Sequence, residues 1–207
     1  MEVFLDNLAK NIVRNIKCQR LIPIEASGRH VHLSIQHVIE LFGKDYELKI
    51  KKELSQKGQY QYEEKVMLIG PKGVYKDVSI LGPPRSKTQV EISKTDAIFL
   101  GVDAPLRDSG NLSKSPSIII ATDKAAIRIA EGVIIARRHI HMNEKDAIEF
   151  SVKDKQLVSV KILSQRPVIF EEVLVRVNRD YSLTMHIDYD EANACGYIDG
   201  VYGRLIV

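Results

Sequence analysis

A short motif with two histidines occurs twice in this chain and constrains its fold and chemistry more than any other feature. The first copy is Arg29-His30-Val31-His32 and the second is Arg138-His139-Ile140-His141. An apolar run precedes each copy, which predicts a buried strand leading into it. Because side chains alternate between the faces of a strand, both histidines of a copy are expected on one face. Two imidazoles on one face are candidate metal ligands; a polar strand face that carries histidine by chance is the alternative.

The similarity between the two halves extends past the motifs. After the first motif, Ser34 is expected to cap a short helix that ends at Phe42; after the second, Asn143 is expected to cap one that ends at Phe150. The offset between the halves is 109 residues at the motifs and 95 residues further on, so the second half lacks 14 residues. That difference is an ordinary loop-length difference between repeats, and the sequence therefore predicts an internal duplication.

The later aligned segments add a third ligand-type side chain to each half. In this alignment Glu91 is equivalent to His186, and each lies between two apolar residues on a predicted strand, pointing away from the core. Two metal sites follow: His30, His32 and Glu91 in the first half, and His139, His141 and His186 in the second. His37 is the one histidine outside this scheme. Cys195 is interpreted as a small buried residue, since its counterpart is Leu100.

The length and the pattern of short apolar runs predict a mainly β fold. A chain of 207 residues that is 44% hydrophobic can bury a substantial core, and the duplication favours two domains. Many short strands, few short helices and frequent turns favour two tandem small β-barrels capped by helices and preceded by an amphipathic N-terminal helix. The predicted boundaries are 1–20 for that helix, 21–130 for the first barrel repeat and 131–207 for the second.

Charge and cysteine content restrict the function classes. The net charge of +3 is nearly balanced, with basic and acidic residues interspersed, which argues against a nucleic-acid partner. We expect no membrane span and no signal peptide, and two cysteines suit a reducing cytoplasmic compartment rather than secretion. The oligomeric state is left open, a homo-oligomer included.

The first twenty residues have the pattern of an amphipathic helix. Leu5, Leu8, Ile12 and Ile16 recur at helical spacing, with charged residues between them. Such a helix either packs on the body of the protein or docks onto a partner, and the sequence alone leaves both open.

Between the two motifs, a proline-rich turn brings an arginine close to a predicted ligand. Residues 44–64 are charged and irregular and are interpreted as including a surface loop, followed by short strands at 66–69 and 78–81. The rigid turn at 82–86 then places Arg85 shortly before Glu91. An arginine beside a metal ligand can hold phosphate oxygens with both arms of its fork, whereas a surface ion pair is the simpler alternative.

Six motifs occur in order along the chain: Arg-His-Val-His-Leu-Ser, Gly-Pro-Lys-Gly, Leu-Gly-Pro-Pro-Arg-Ser, Gln-Val-Glu-Ile-Ser-Lys-Thr-Asp-Ala, Arg-Arg-His-Ile-His-Met, and Met-His-Ile-Asp with Asp-Glu-Ala-Asn. Together they resemble the PduL-type phosphate propanoyltransferases, the phosphotransacylases associated with bacterial microcompartments. The resemblance covers the chain from about Pro23 to its C-terminus. The N-terminal segment is also similar to the encapsulation peptides that direct such enzymes to shell proteins and into the microcompartment lumen.

The resemblance implies two β-barrels with a two-zinc site between them. It implies that the first zinc is held by His30, His32 and Glu91, with a position left for the coenzyme A sulfur. The second would be held by His139, His141 and His186, with water or phosphate completing its shell. Arg85 matches the family's phosphate-binding arginine. The positions near coenzyme A are Ala26, Ser27, Gly28, Lys72 and Asn193.

The implied reaction is acyl-CoA and phosphate to acyl phosphate and CoA, by direct attack of phosphate. The acyl group is propanoyl or acetyl, and the sequence does not choose between them, nor between zinc and another metal such as cobalt. A dinuclear zinc thioester hydrolase is one alternative. A non-catalytic, zinc-stabilised binding module associated with the shell is another.

Overall fold

The computed structural model describes Leu5 and residues 21–206. The helix predicted over 1–20 thus lies outside the described residues, apart from Leu5. The described part contains short helices and many strands, which are, in chain order: β1 Leu21–Ala26, β2 His30–His32, α1 Ile35–Phe42, β3 Ile50–Glu53, β4 Tyr60–Ile69, β5 Val74–Gly82, β6 Gln89–Glu91, α2 Lys94–Leu100, β7 Leu106–Arg107, β8 Ile118–Ala121, β9 Ala126–Ile129, β10 Val133–Ala136, β11 His139–Met142, α3 Glu144–Phe150, β12 Leu157–Ile162, β13 Ile169–Val177, β14 Thr184–Ile187, α4 Tyr189–Ala194 and β15 Tyr202–Ile206.

The mainly β prediction with short helices is confirmed, and the chain folds as two compact units. The sheet unit comprises Ser27–Arg137 with residues 188–190, and the barrel unit comprises β1, Arg138–Ile187 and residues 191–206. Two strands belong to a different unit from the one expected from the predicted boundary after residue 130. Strand β1 pairs with β14 and β15 of the barrel unit, whereas β10 pairs with β6 of the sheet unit.

The barrel unit is a closed six-stranded barrel in the order β1-β14-β11-β13-β12-β15. Strand β15 closes it by pairing antiparallel with both β1 and β12. Its interior is filled by large aliphatic and aromatic side chains that are almost completely excluded from solvent, among them Ile22, Ile140, Met142, Phe150 and Ile162. The strands enclose this core with their inward-facing side chains, so the barrel prediction is confirmed for this half.

The sheet unit corresponds to the predicted first barrel repeat, and its strands do not form a closed barrel. Its strands form a nine-stranded sheet in the order β7-β10-β6-β2-β5-β4-β8-β9, with β3 paired to β4. At one end of this order, β10 pairs with the two-residue strand β7. Toward the other end, β4 pairs with β8. Among the described residues β8 pairs antiparallel with β4, as β15 does with β12, but the strand pairing does not continue from β8 to β10. The core of this unit contains Val31, Leu68, Ile80, Leu100 and Ile120.

Strand pairing reproduces the duplication in register. Strand β2 runs parallel to β5 and antiparallel to β6, and β11 has the same relation to β13 and β14. His30 is paired with Glu91, and His139 is paired with His186. The alignment of Glu91 with His186 is thereby confirmed, because equivalent residues occupy equivalent places in the two sheets.

Capping residues set the helix starts that the sequence predicted. The Ser34 side chain accepts from the backbone of His37 at the start of α1, and Asn143 begins α3 with a reciprocal capping box to Asp146. The surface loop predicted within 44–64 is present at 54–59, but β3 and the first half of β4, which the sequence did not indicate, also lie in this range. All four residues of β3 are exposed, so the strand has no apolar alternation by which the sequence could show it.

Each unit also contains an arginine clamp, formed by the arginine that precedes its first histidine. Arg29 donates to Asp96 (Nη2–Oδ1 2.7 Å) and lies over the ring of Tyr75, 4.0 Å from its centroid. Arg138 donates to Glu191 at 2.7 Å and lies 5.3 Å from the centroid of Phe170. Acid and aromatic residue are both 95 positions apart between the halves, so these contacts extend the repeat.

Within the described residues, no helix is both long and apolar enough to cross a membrane.

Candidate metal-binding active site

The sheet unit brings its three predicted ligands together where β2 and β6 pair. The ligand atoms of His30, His32 and Glu91 all lie within 4.8 Å of one another. Nε2 of His30 is 3.5 Å from one carboxylate oxygen of Glu91, and Nε2 of His32 is 4.0 Å from the other. Both histidines are buried, and the carboxylate is nearly so. The strand alternation thus gives the side-chain placement that the sequence predicted.

Hydrogen bonds fix which ring nitrogens can bind a metal. Nδ1 of His30 lies 2.8 Å from the carbonyl oxygen of Gly28 and must donate, which leaves Nε2 facing Glu91. Nε2 of His32 accepts from Nη2 of Arg85 at 2.8 Å, because a guanidinium can only donate. The Nε2 atoms of both histidines thus lie within 4.0 Å of the Glu91 carboxylate, and a metal bound here would replace the contact of His32 with Arg85 and the proton between His30 and Glu91. This donor set fits a zinc-type ion.

The electrostatics of the cluster favour a cation between these groups. Burial, reinforced by the charges of His30 and Arg85, lowers the pKa of His32 to about 2, so this ring is neutral. Burial opposes charge on His30 and Glu91, but their mutual attraction outweighs it: the pKa of His30 is raised and that of Glu91 lies well below its usual value. A buried carboxylate of this kind requires a positive partner.

Arg85 lies directly beside the cluster, as the proline-rich turn predicted. Its backbone N–H donates to the carbonyl of Leu33 at 2.9 Å, which ties the turn to the residue after β2. From there the guanidinium reaches Nε2 of His32 at 2.8 Å and Oγ of Ser109 at 3.1 Å. The side chain thus contacts a predicted metal ligand, and its phosphate-binding role stays a prediction.

Two further residues complete the cluster and were not predicted. Ser109 donates to Oε1 of Glu91 at 3.0 Å, and the amide of Gln89 also donates to that oxygen. Gln89 lies two residues before Glu91 on β6, hence on the same face, which is a signal the sequence offered. Ser109 lies in the loop after β7, where no periodic pattern marks a functional residue.

The barrel unit gathers the second predicted set at the pairing of β11 and β14. The ring centroids of His139, His141 and His186 are 4.7, 5.3 and 5.0 Å apart, taken pairwise. Nδ1 of His186 is 3.8 Å from a carboxylate oxygen of Glu25, which is an ion-pair distance and too long for a hydrogen bond. Burial and the neighbouring imidazoles lower the pKa of His141 to about 2. Three imidazoles in this grouping are ligand types that zinc accepts.

The remaining histidine has a different role. Nδ1 of His37 is 2.6 Å from Oγ1 of Thr88, which also accepts from the backbone of Ser34 at the start of α1. His37 thus supports the first helix and lies outside the ligand set, as predicted. Cys195 is completely buried and its thiol contacts the carbonyl of Ala192, which fits its interpretation as a packing residue.

The residues predicted near coenzyme A are spread over the two units. Ser27 and Gly28 lie at the entrance to β2, and Oγ of Ser27 is 3.5 Å from Nδ1 of His30. Lys72 lies on the exposed turn between β4 and β5, with its backbone bonded to Leu100 at 3.0 Å. Ala26 ends β1 and Asn193 lies exposed on α4. Their contacts with coenzyme A stay a prediction.

Comparison with known proteins supplies the family. A family model described as phosphate propanoyltransferase matches residues 23–198. The chain belongs to this family. A phosphate propanoyltransferase from Alkaliphilus metalliredigens is 56% identical over 89% of this chain and 87% of its own length. Those from Clostridioides difficile (47% identical, 100% of this chain, 99% of the relative) and Listeria monocytogenes (46%, 98% and 95%) match almost end to end.

Membership of the phosphate propanoyltransferase family makes the chain an acyltransferase enzyme. The match includes both histidine motifs, Arg85 and the segments that carry Glu91 and His186, so the candidate site lies within the matched range.

Proposed function

We propose that this enzyme transfers the acyl group of an acyl-CoA, propanoyl-CoA or acetyl-CoA, to inorganic phosphate, releasing acyl phosphate and CoA. We further propose that each unit holds one zinc ion, through His30, His32 and Glu91 in the sheet unit and through His139, His141 and His186 in the barrel unit. The observation that carries the proposal is the contact of Arg85 with His32 at 2.8 Å, because it combines a phosphate-type side chain and a metal-ligand cluster in one place.

In this reaction Arg85 binds and orients the attacking phosphate. Its planar fork matches two phosphate oxygens, and its position beside His32 keeps the anion next to the ligand cluster. A phosphate oxygen attacks the thioester carbonyl carbon, the carbon–sulfur bond breaks and CoA leaves as the thiolate. The positive charge of Arg85 stabilises the negative charge that develops on oxygen during this transfer.

The ligand clusters indicate what the metal contributes. When bound, zinc supplies a Lewis acid that accepts a thiolate and polarises a carbonyl or phosphoryl oxygen. Three protein ligands leave a coordination position open, whereas the alternative of a structural binding module calls for closed four-ligand sites. The three-ligand group of the sheet unit therefore favours the enzyme over the structural module.

The surroundings of Cys195 support direct transfer to phosphate without an acyl-enzyme. Burial raises the pKa of its thiol, and its side chain is completely excluded from solvent. A buried, protonated thiol is a poor nucleophile. Within the described residues Cys195 is the one cysteine, and phosphate is a better nucleophile than this buried thiol.

Product analysis separates the proposal from a zinc thioester hydrolase. Purified enzyme is incubated with propanoyl-CoA, with and without phosphate, and acyl phosphate and free acid are quantified. We expect CoA release that requires phosphate and equals the acyl phosphate formed. Release of CoA and free acid at the same rate without phosphate would instead establish a hydrolase.

We also propose that residues 1–20 direct the enzyme to shell proteins and into the lumen of a bacterial microcompartment. The support is the helical spacing of Leu5, Leu8, Ile12 and Ile16, which gives an apolar stripe on an otherwise charged segment. None of the proposed metal ligands lies in this segment, which suits a targeting role separate from catalysis.

A further inference from the structure

Ser109 lies between the two functional parts of the sheet-unit site. Its hydroxyl contacts Glu91, a proposed metal ligand, and Arg85, the proposed phosphate-binding residue. We infer that Ser109 is a positioning residue that couples metal binding at Glu91 to phosphate binding at Arg85, an inference that rests on the proposed function. The enzyme would lose both properties together if this hydroxyl were removed.

The hydrogen-bonding capacity of Ser109 is completely used in this place. A serine hydroxyl offers one donor and two acceptor lone pairs. The donor goes to Oε1 of Glu91 at 3.0 Å, and the lone pairs accept from Nη1 of Arg85 at 3.1 Å and from Nε2 of Gln89 at 2.9 Å. Because both arginine and amide can only donate here, the hydroxyl proton has one remaining direction, toward the carboxylate.

Gln89 fixes the direction of this network. Its side-chain oxygen accepts from the backbone N–H of Gly110 at 2.8 Å, so its amide nitrogen must face Ser109 and Glu91. Gln89 is 1% exposed, and the bond to Gly110 also holds the loop that carries Ser109. The backbone N–H of Gly110 can only donate, so it sets the orientation of the Gln89 amide. Through that amide it also sets the direction in which the Ser109 hydroxyl donates.

The network determines which oxygen of Glu91 is presented to a metal. Ser109 and Gln89 both donate to Oε1, whereas Oε2 lies 3.5 Å from Nε2 of His30. Outer partners of this kind orient a ligating carboxylate and typically change metal affinity 10- to 100-fold when removed. On the other side, Nη1 of Arg85 is held by Ser109, which fixes the plane of the fork that receives phosphate.

The test compares Ser109→Ala with Ser109→Thr and with Ser117→Ala. Threonine keeps the hydroxyl. Ser117 is the matched control, because its hydroxyl also accepts from an arginine, Arg128, at 3.4 Å, but contacts no proposed ligand. Zinc affinity is measured by chelator competition without substrate, in a His139→Ala background so that the sheet-unit site reports. The KM values for phosphate and propanoyl-CoA are measured in otherwise intact enzyme.

We expect Ser109→Ala to weaken zinc binding about tenfold and to raise the phosphate KM about tenfold, with the propanoyl-CoA KM changed less than about twofold. Ser109→Thr should retain both properties, and Ser117→Ala should match the wild type. If Ser109→Ala lowers the melting temperature, Ser109→Cys, with a weak donor of similar size, gives the same test at smaller amplitude.

The inference is overturned if Ser109→Ala behaves like Ser117→Ala, or if zinc affinity changes while the phosphate KM does not, since Ser109 would then support Glu91 alone. Failure of the proposed function has a different signature: the wild-type enzyme itself would show no phosphate-dependent transfer, while the zinc measurement, which needs no turnover, would still report on Ser109.

Discussion

At the scale of single residues, the histidines differ in what their ring nitrogens contact. His30 and His139 each face a second ligand across a strand pair, whereas His37 contacts Thr88. We predict that His30→Ala and His139→Ala each lower the metal content from about two to about one ion per chain and abolish transfer. Metal analysis of the purified variants checks this, with His37→Ala as the control that keeps both ions. Unchanged metal content in either ligand variant would remove that histidine from the site.

The geometry of Arg85 leads to a prediction about phosphate. Arg85→Lys keeps the positive charge but loses the planar fork, so the phosphate KM should rise about tenfold or more while the acyl-CoA KM changes little. Steady-state kinetics with each substrate varied in turn measures both constants. Arg128→Lys, an exposed arginine bonded to Ser117, serves as the control. Equal effects on both constants would argue against a phosphate-specific role.

The sequence predicted that the proposed ligand residues lie together because strand alternation translates directly into side-chain direction. His30 and His32 could be assigned to one face from their spacing alone, and the repeat then identified Glu91 through its equivalence with His186. Ser109 could not be predicted in this way. Its place beside Glu91 depends on how the loop after β7 folds back, and a loop has no period from which its side-chain directions follow.

At the scale of elements, the arginine clamps connect the start of each histidine strand to a helix. The Asp96 carboxylate is almost completely buried and also belongs to the capping box of α2, so removal of Arg29 leaves a buried charge without its cation. We predict that Arg29→Ala lowers the free energy of unfolding by about 1–3 kcal/mol. The partner of Arg138, Glu191, is more exposed, so Arg138→Ala should cost less.

Urea denaturation followed by circular dichroism measures both variants against the wild type. The reverse order of effects, or no shift for Arg29→Ala, would show that the clamp does not stabilise the sheet unit.

Strands with one apolar face were the predictable elements, and unpatterned edge strands were not. Strand β5 buries alternate residues over its second half, and the sequence placed it, although the strand begins at Val74, four residues earlier than the predicted 78–81. Strand β3 is exposed throughout and was missed. The open edge at β7 was missed as well, because barrel closure depends on a pairing partner distant in sequence, which local periodicity does not contain.

At the scale of the whole molecule, residues 1–20 can be tested separately from the two units. Strand β1 begins at Leu21 and pairs with both β14 and β15, so a truncated chain must retain Leu21 to close the barrel. We predict that a chain starting at Leu21 stays folded, keeps both metal ions and its activity, but no longer enters microcompartment shells. Co-purification with shells measures this. Unfolding of the truncated chain, or packaging as efficient as that of the intact chain, would contradict the targeting role.

The central claim is that the ligand clusters bind metal and that this metal is needed for acyl transfer to phosphate. The most direct measurement is phosphate-dependent CoA release by enzyme stripped with a chelator and then reloaded with zinc, with the bound metal quantified in each sample. We predict that activity is lost in the stripped enzyme and returns in proportion to zinc, approaching its maximum at about two ions per chain. Full phosphate-dependent activity in metal-free enzyme would contradict the account.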